Sequence, residues 1–188
     1  MQNRKPFIMI MCAIAVALNI VLGTVVQKLQ IPLLFLDAVG TIFAAVLFGP
    51  WYGAAVGTIT NVLTGIITGN PKDIPFFLVN AVAGLVVGYM ARKFKFTLVT
   101  SIITGIILSI VCPLIGTPIS VWLYGGLTGG GNDFLFLVLK NSGMQLLPAA
   151  FWPRIASNII DKIGSCILVF AAMKYIPAQY KGNKNIAA

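Results

Sequence analysis

The chain has 188 residues, of which 59% are hydrophobic and only 9% charged, with a mean hydropathy of +0.97. A soluble domain carries about a quarter of its residues as charges, so this composition argues against a soluble enzyme or binding module and makes lipid the solvent. The net charge of +9 does not point to nucleic acid, because the basic residues sit at the ends of apolar runs rather than in a patch interleaved with aromatics.

The apolar runs predict an all-α integral membrane protein: one membrane domain over 1–188, a six-transmembrane-helix bundle with N- and C-termini cytoplasmic. The first span covers about 6–26, with Pro6 at the first helical position. It follows Arg4 and Lys5 as a signal peptide would, but it lacks a clear cleavage site and further spans follow. Gln27, Lys28 and Gln30 then mark water, and a second span at about 33–48 ends in the turn Gly49-Pro50-Trp51-Tyr52-Gly53.

The third span, about 53–68, is rich in small residues (Gly53, Ala54, Ala55, Gly57) that let neighbouring backbones approach, and this places it at the centre of the bundle. After the turn 69–73 comes a fourth span at about 75–91, with Ala81, Gly84 and Gly88 as its small face. The fifth, about 97–122, is interrupted by Pro113, Gly116 and Pro118, where the helix is expected to kink or unwind. A broken helix is tolerated at membrane depth only where protein or a cavity covers it, so this end should border a binding site.

The glycines at 125–126 and 129–131 form a loop, and about 134–147 is an interfacial or re-entrant helix carrying Lys140, Asn141 and Gln145. A last span covers about 151–175, before Pro177 and a polar tail. With the N-terminus inside, Arg4, Lys5, Arg92, Lys93, Lys95, Lys174, Lys181 and Lys184 are cytoplasmic and only Lys28, Lys72 and Lys140 lie outside. That asymmetry is what the positive-inside rule expects of six spans.

Charges inside the last span are the sharpest anomaly, because each costs about 2.5–3.5 kcal/mol near a helix centre. Arg154, Asn158 and Lys162 share one helical face, with Asp161 beside them. One reading is structural: Asp161 and Lys162 neutralise partners in the bundle, and Arg154 snorkels to headgroups. The other is a substrate-binding site, since Asp37, Asn61, Thr64, Asn80 and Thr117 fall at a similar depth, with Trp122, Tyr124 and Trp152 as aromatic contacts or interfacial belt residues.

Asn19 and Thr58, deeper in the bundle, read as interhelical hydrogen-bond glue. Cys12, Cys112 and Cys166 are isolated in apolar runs and there is no His, so they read as packing residues and no metal site is expected. On the first span, Ala13 and Ala17 form a small-x-x-x-small stripe, while Ala15, Asn19 and Gly23 continue a second stripe on another face.

Four features together resemble the substrate-binding S component of an energy-coupling factor (ECF) type ABC transporter. They are the six-span layout, the Ala13–Ala17 stripe, the run Phe48-Gly49-Pro50-Trp51-Tyr52-Gly53-Ala54-Ala55-Val56-Gly57, and Asn158-Ile159-Ile160-Asp161-Lys162-Ile163. The resemblance implies a high-affinity capture subunit in a bacterial cytoplasmic membrane, taking a vitamin or precursor from outside. Its expected partners are a transmembrane coupling protein, docked on Ala13 and Ala17, and two cytoplasmic ATPases that use ATP.

The chain itself has no G-x-x-x-x-G-K-[ST] loop and no cofactor is expected in it. By the same analogy the pocket draws on Asn80, the broken end of the fifth span, Arg154, Asn158 and Asp161, with Gln27–Pro32 as a lid. Pyridoxine-like, thiamine-precursor and nucleobase-like cargoes all fit such a polar pocket. The competing function is a self-sufficient secondary transporter with Asp37 or Asp161 carrying a coupling proton; the small size and lack of inverted repeats argue against it. A membrane enzyme would need a nucleophile–base pair or clustered metal ligands, and neither is present in the sequence.

Overall fold

The computed structural model describes residues 5–129 and 133–177. Arg4, Gly130, Gly131, Lys181 and Lys184, which figured in the expectations above, lie outside the described residues. The described residues form seven α-helices: α1 (Lys5–Lys28), α2 (Val39–Phe48), α3 (Pro50–Ile67), α4 (Phe77–Lys93), α5 (Leu98–Tyr124), α6 (Asp133–Asn141) and α7 (Leu146–Tyr175). A 3-10 turn, Pro71–Phe76, leads into α4.

Four segments are long and apolar enough to cross a membrane: Lys5–Lys28, Pro71–Lys93, Leu98–Tyr124 and Leu146–Tyr175. Their outward faces carry large apolar side chains such as Met9, Ile14, Val21, Val99, Leu114 and Leu168, as a lipid solvent requires.

The second span differs most from expectation. Residues 33–38 are not helical, and α2 is only ten residues long, starting at Val39. In segment 29–38, Gln30, Leu33 and Leu36 take positive φ (49°, 65° and 50°), a region a non-glycine residue enters only when its surroundings hold it there. The holding group is distant in sequence: Oδ1 of Asp161 accepts the backbone N–H groups of Phe35 (2.9 Å) and Leu36 (2.8 Å). A carboxylate on α7 thus supplies hydrogen bonds that a helix would have supplied locally.

Centrality also differs. The helix buried on nearly every side is α2, not α3: Val39, Gly40, Thr41, Ile42, Ala44, Ala45, Val46 and Leu47 are all buried. Its sequence is apolar or small all round, so no face needs solvent. Around it stand α1, α3, α4 and α7, while α5 packs along α7 and α4. Among the described residues α1 makes no helix contact with α7. Segment 29–38 lies against α7 through Asp161 instead.

The small residues of α3 and α4 act as expected. A Cβ on Gly84 would collide with the backbone of Gly53 and Ala54, and one on Gly88 with the backbone of Pro50, so the two helices meet main chain to main chain. Gly49, at φ 106°, makes the sharp turn from α2 into α3, and Pro50 occupies the first position of α3, where its missing N–H is no loss.

Two other boundaries move. Helix α5 continues through Pro113 and Pro118 without unwinding, because no water competes for the backbone at this depth and the lost N–H groups cost only local bonds. Helix α7 begins at Leu146 rather than near 151: Pro148 falls in its first turn, where proline starts a helix as readily as it ends one. The interfacial helix is correspondingly shorter, Asp133–Asn141, and the turn after it passes through Gly143 at φ 90°.

Candidate functional site: a polar cavity at one end of the bundle

A cavity of about 210 Å³ opens at the end of the bundle that carries segment 29–38. It is walled by the C-terminal half of α1, segment 31–37, the C-terminal half of α3, the turn and start of α4, the C-terminal half of α5 and the N-terminal half of α7. The opposite end carries Lys5, Arg92, Lys93, Lys95 and Lys174.

The floor is set by Asn19. Its Nδ2 donates to Thr41 Oγ1 (2.9 Å) and Thr60 Oγ1 (3.1 Å), and its Oδ1 accepts the N–H of Gly40 (2.6 Å), tying α1, α2 and α3 together. It is the glue expected of it, and it also faces the cavity. Beside it, Asn80 Nδ2 donates to Asn61 Oδ1 (2.6 Å), joining α4 to α3 across the same wall.

On α7, Arg154, Asn158 and Lys162 face the cavity at intervals of about 6 Å along the helix axis. Arg154 Nη2 donates to Ser120 Oγ on α5 (2.5 Å), and Asn158 Nδ2 to the carbonyl of Arg154 (2.8 Å). Lys162 Nζ lies 2.7 Å from Asp161 Oδ2 and 3.2 Å from Asp37 Oδ1. Both Lys162 and Asp161 are buried, whereas the Asp37 side chain is 41% exposed. Lys162 thus sits between two carboxylates, and segment 29–38 is held at both Asp37 and Phe35–Leu36.

The mouth is polar as well. Tyr124 Oη donates to Asp73 Oδ1 (2.6 Å) and accepts from Asn70 Nδ2 (2.8 Å), linking the end of α5 to the turn before α4. The Tyr124 ring also contacts that of Phe76, with centroids 6.4 Å apart, and Lys72 lies over it. Asp133, at the start of α6, accepts the backbone N–H groups of Thr128 (3.1 Å) and Gly129 (2.7 Å).

The family described as ECF transporter, substrate-specific component, matches residues 8–173. The chain belongs to that family. It is therefore a multi-pass membrane subunit of an ECF transporter and not an enzyme. Comparison with curated proteins and with solved structures gives no match.

Of the residues singled out in the S component's sequence, Asp37, Asn61, Asn80, Tyr124, Arg154, Asn158 and Lys162 come together around the cavity. Thr64 is there as well, and so are Pro113 and Gly116, although the helix carrying them is unbroken. Asp161 is not in the wall; it lies behind Lys162 and holds the 29–38 backbone.

Trp122 is 81% exposed and outside the cavity wall. Two residues beyond Ser120, it falls about 200° round the helix from the face that meets α7. Thr117 is buried but faces a separate shallow groove that also takes Leu147, Phe151 and Trp152. Ala13 and Ala17 are both exposed, while Ala15 and Asn19 on the other face are buried.

Sequence reasoning passed over Thr60, Phe35, Phe76 and Asp73, all in the wall. In sequence, Asp73 reads as a turn residue and Phe35 as part of a helix. Only the fold brings Asp73 to Tyr124, fifty-one residues away.

Proposed function

We propose that this S component captures a small, polar, vitamin-like molecule from the extracellular side, in the cavity between α1, α3, α4, α5 and α7. Transport then requires a transmembrane coupling protein and two cytoplasmic ATPases that hydrolyse ATP. The observation that carries this reading is the convergence of Asn61, Asn80, Arg154, Asn158 and the Lys162–Asp37 pair on one cavity at one end of the bundle. A largely apolar pocket with a few convergent polar groups is the usual form of a small-molecule site. At about 210 Å³ it lies below the roughly 300 Å³ at which pockets for drug-sized ligands begin, which favours a one- or two-ring compound.

The orientation follows from charge. Lys5, Arg92, Lys93, Lys95 and Lys174 gather at the end opposite the cavity, which makes that end cytoplasmic by the positive-inside rule. Six crossings result if α3 and the pair formed by segment 29–38 and α2 each traverse the bilayer. Irregular backbone at that depth is acceptable because Asp161 satisfies it inside the protein. The exposed Ala13 and Ala17 face of α1 is then the docking stripe for the coupling protein, where small side chains permit close helix approach.

Purification followed by mass spectrometry of released small molecules tests the capture role. A bound micronutrient whose retention falls in Asn158→Ala and Arg154→Ala supports it; unchanged affinity in both removes the cavity from consideration. Ala13→Trp and Ala17→Trp should abolish co-purification with the coupling protein and leave ligand retention intact, and assembly that survives both moves the docking face elsewhere.

A further inference from the structure

Each of the four described carboxylates in or near the cavity wall is answered by a cation, a hydroxyl or backbone amides. Asp161 is met by Lys162 and by the amides of Phe35 and Leu36. Asp37 is met by Lys162, Asp73 by the Tyr124 hydroxyl, and Asp133 by the amides of Thr128 and Gly129. Arg154 is answered least: among the described residues its guanidinium has no carboxylate within ion-pair distance, Asp133 acting on it only from farther off, and one neutral side-chain partner, Ser120 Oγ.

A guanidinium carries five N–H donors in a planar fork. For a half-buried guanidinium, leaving most of them unanswered is costly, and a neutral hydroxyl answers only one. The residue stands in the cavity wall, one helical turn toward the mouth from Asn158, with Ser120 fixing one edge of the fork. Among the described residues its remaining donors have no side-chain acceptor.

On the reading that this cavity is the capture site, we propose that Arg154 is the anchor for a carboxylate on the substrate. The cargo is then a one- or two-ring carboxylate, its two oxygens on the Arg154 fork, its ring running along Asn158 toward the Asn61–Asn80 pair. A planar carboxylate matches the fork in two parallel hydrogen bonds. A single negative charge also suits a cation that no carboxylate touches. A phosphate dianion would overshoot it, in a wall that already carries the Asp37 and Asp73 carboxylates. Ser120 acts here as a positioning residue, since its hydroxyl holds the guanidinium rather than the substrate.

The test uses the full-length protein in detergent, incubated with an equimolar mixture of water-soluble ring carboxylates and their matched carboxamides, with bound compounds read by mass spectrometry after gel filtration. The expected result is retention of a carboxylate at least about tenfold above its carboxamide. Arg154→Gln should erase that discrimination, and Arg154→Lys, which keeps the charge without the fork, should fall between. The discrimination in the unaltered protein is decisive even if Arg154→Gln does not fold. Equal retention of the two members of a pair, or discrimination that survives in folded Arg154→Gln, overturns the anchor. A protein that brings a neutral or cationic compound from cells and holds no carboxylate overturns the anchor but leaves the capture function standing. One that retains nothing from either source overturns both.

Discussion

At the Gly49 end of the bundle the helices meet backbone to backbone; at the 29–38 end they meet through polar side chains. Gly53 and Gly84, and Gly88 and Pro50, touch so closely that no Cβ fits between them. Asn19, Arg154 and Lys162 instead reach across to their partners through side chains. In lipid, apolar helices gain nothing from the hydrophobic effect by associating, so close packing and hydrogen bonds are the two available adhesives. Packing leaves no space, whereas bridging leaves a cavity. The chain uses the first at the end where its basic residues gather and the second where a ligand could enter.

The largest expected effect comes from cutting the polar end at its most buried charge. Asp161→Ala leaves the Phe35 and Leu36 amides without an acceptor and Lys162 with half its compensation, at a cost of about 3–5 kcal/mol. Thermal unfolding in detergent should show a large drop in midpoint. Asp161→Asn, which keeps an acceptor for the loop but not the charge, should recover part of it; a neutral Asp161→Ala would mean that segment 29–38 is held by something else.

Breaking the packed end should be somewhat milder and leave the cavity intact. Gly84→Val forces α3 and α4 apart and should destabilise by about 1–3 kcal/mol, while the folded fraction binds ligand with unchanged affinity. Loss of affinity in step with stability would show that the two ends are not separable. Asn80→Ala lies on the boundary: losing its bond to Asn61 should cost about 1 kcal/mol of stability, and affinity should fall by about tenfold. The smallest effect is expected for Trp122→Ala. Its exposed side chain should change stability by no more than about 0.5 kcal/mol and ligand retention not at all.

Much of the polar end was legible in sequence because a charge in an apolar helix is conspicuous. Arg154, Asn158 and Lys162 at four-residue spacing announce a face, and Asp37, Asn61 and Asn80 lie at matching depths. Spacing does not tell a wall residue from one behind the wall, however: Asp161, one position from Lys162, reads as a ligand contact in sequence, and in the fold it holds the loop. Trp122 illustrates the converse: its depth fits the site, but its angle on α5 turns it outward.

The sequence by itself determined the solvent, the membrane-crossing character of the long apolar runs and the small-residue faces of α3 and α4. Composition, length and the presence or absence of a side chain are local properties, and lipid offers the backbone few alternatives to a helix. Only the tertiary structure decided that residues 33–38 are not helical, that α2 is the central helix, and that Lys162 stands between Asp37 and Asp161 while no carboxylate touches Arg154. Each of these depends on a partner more than a hundred residues away or on which helix neighbours which. An apolar sequence that can form a helix does so unless a distant group, here the Asp161 carboxylate, satisfies its backbone in another shape.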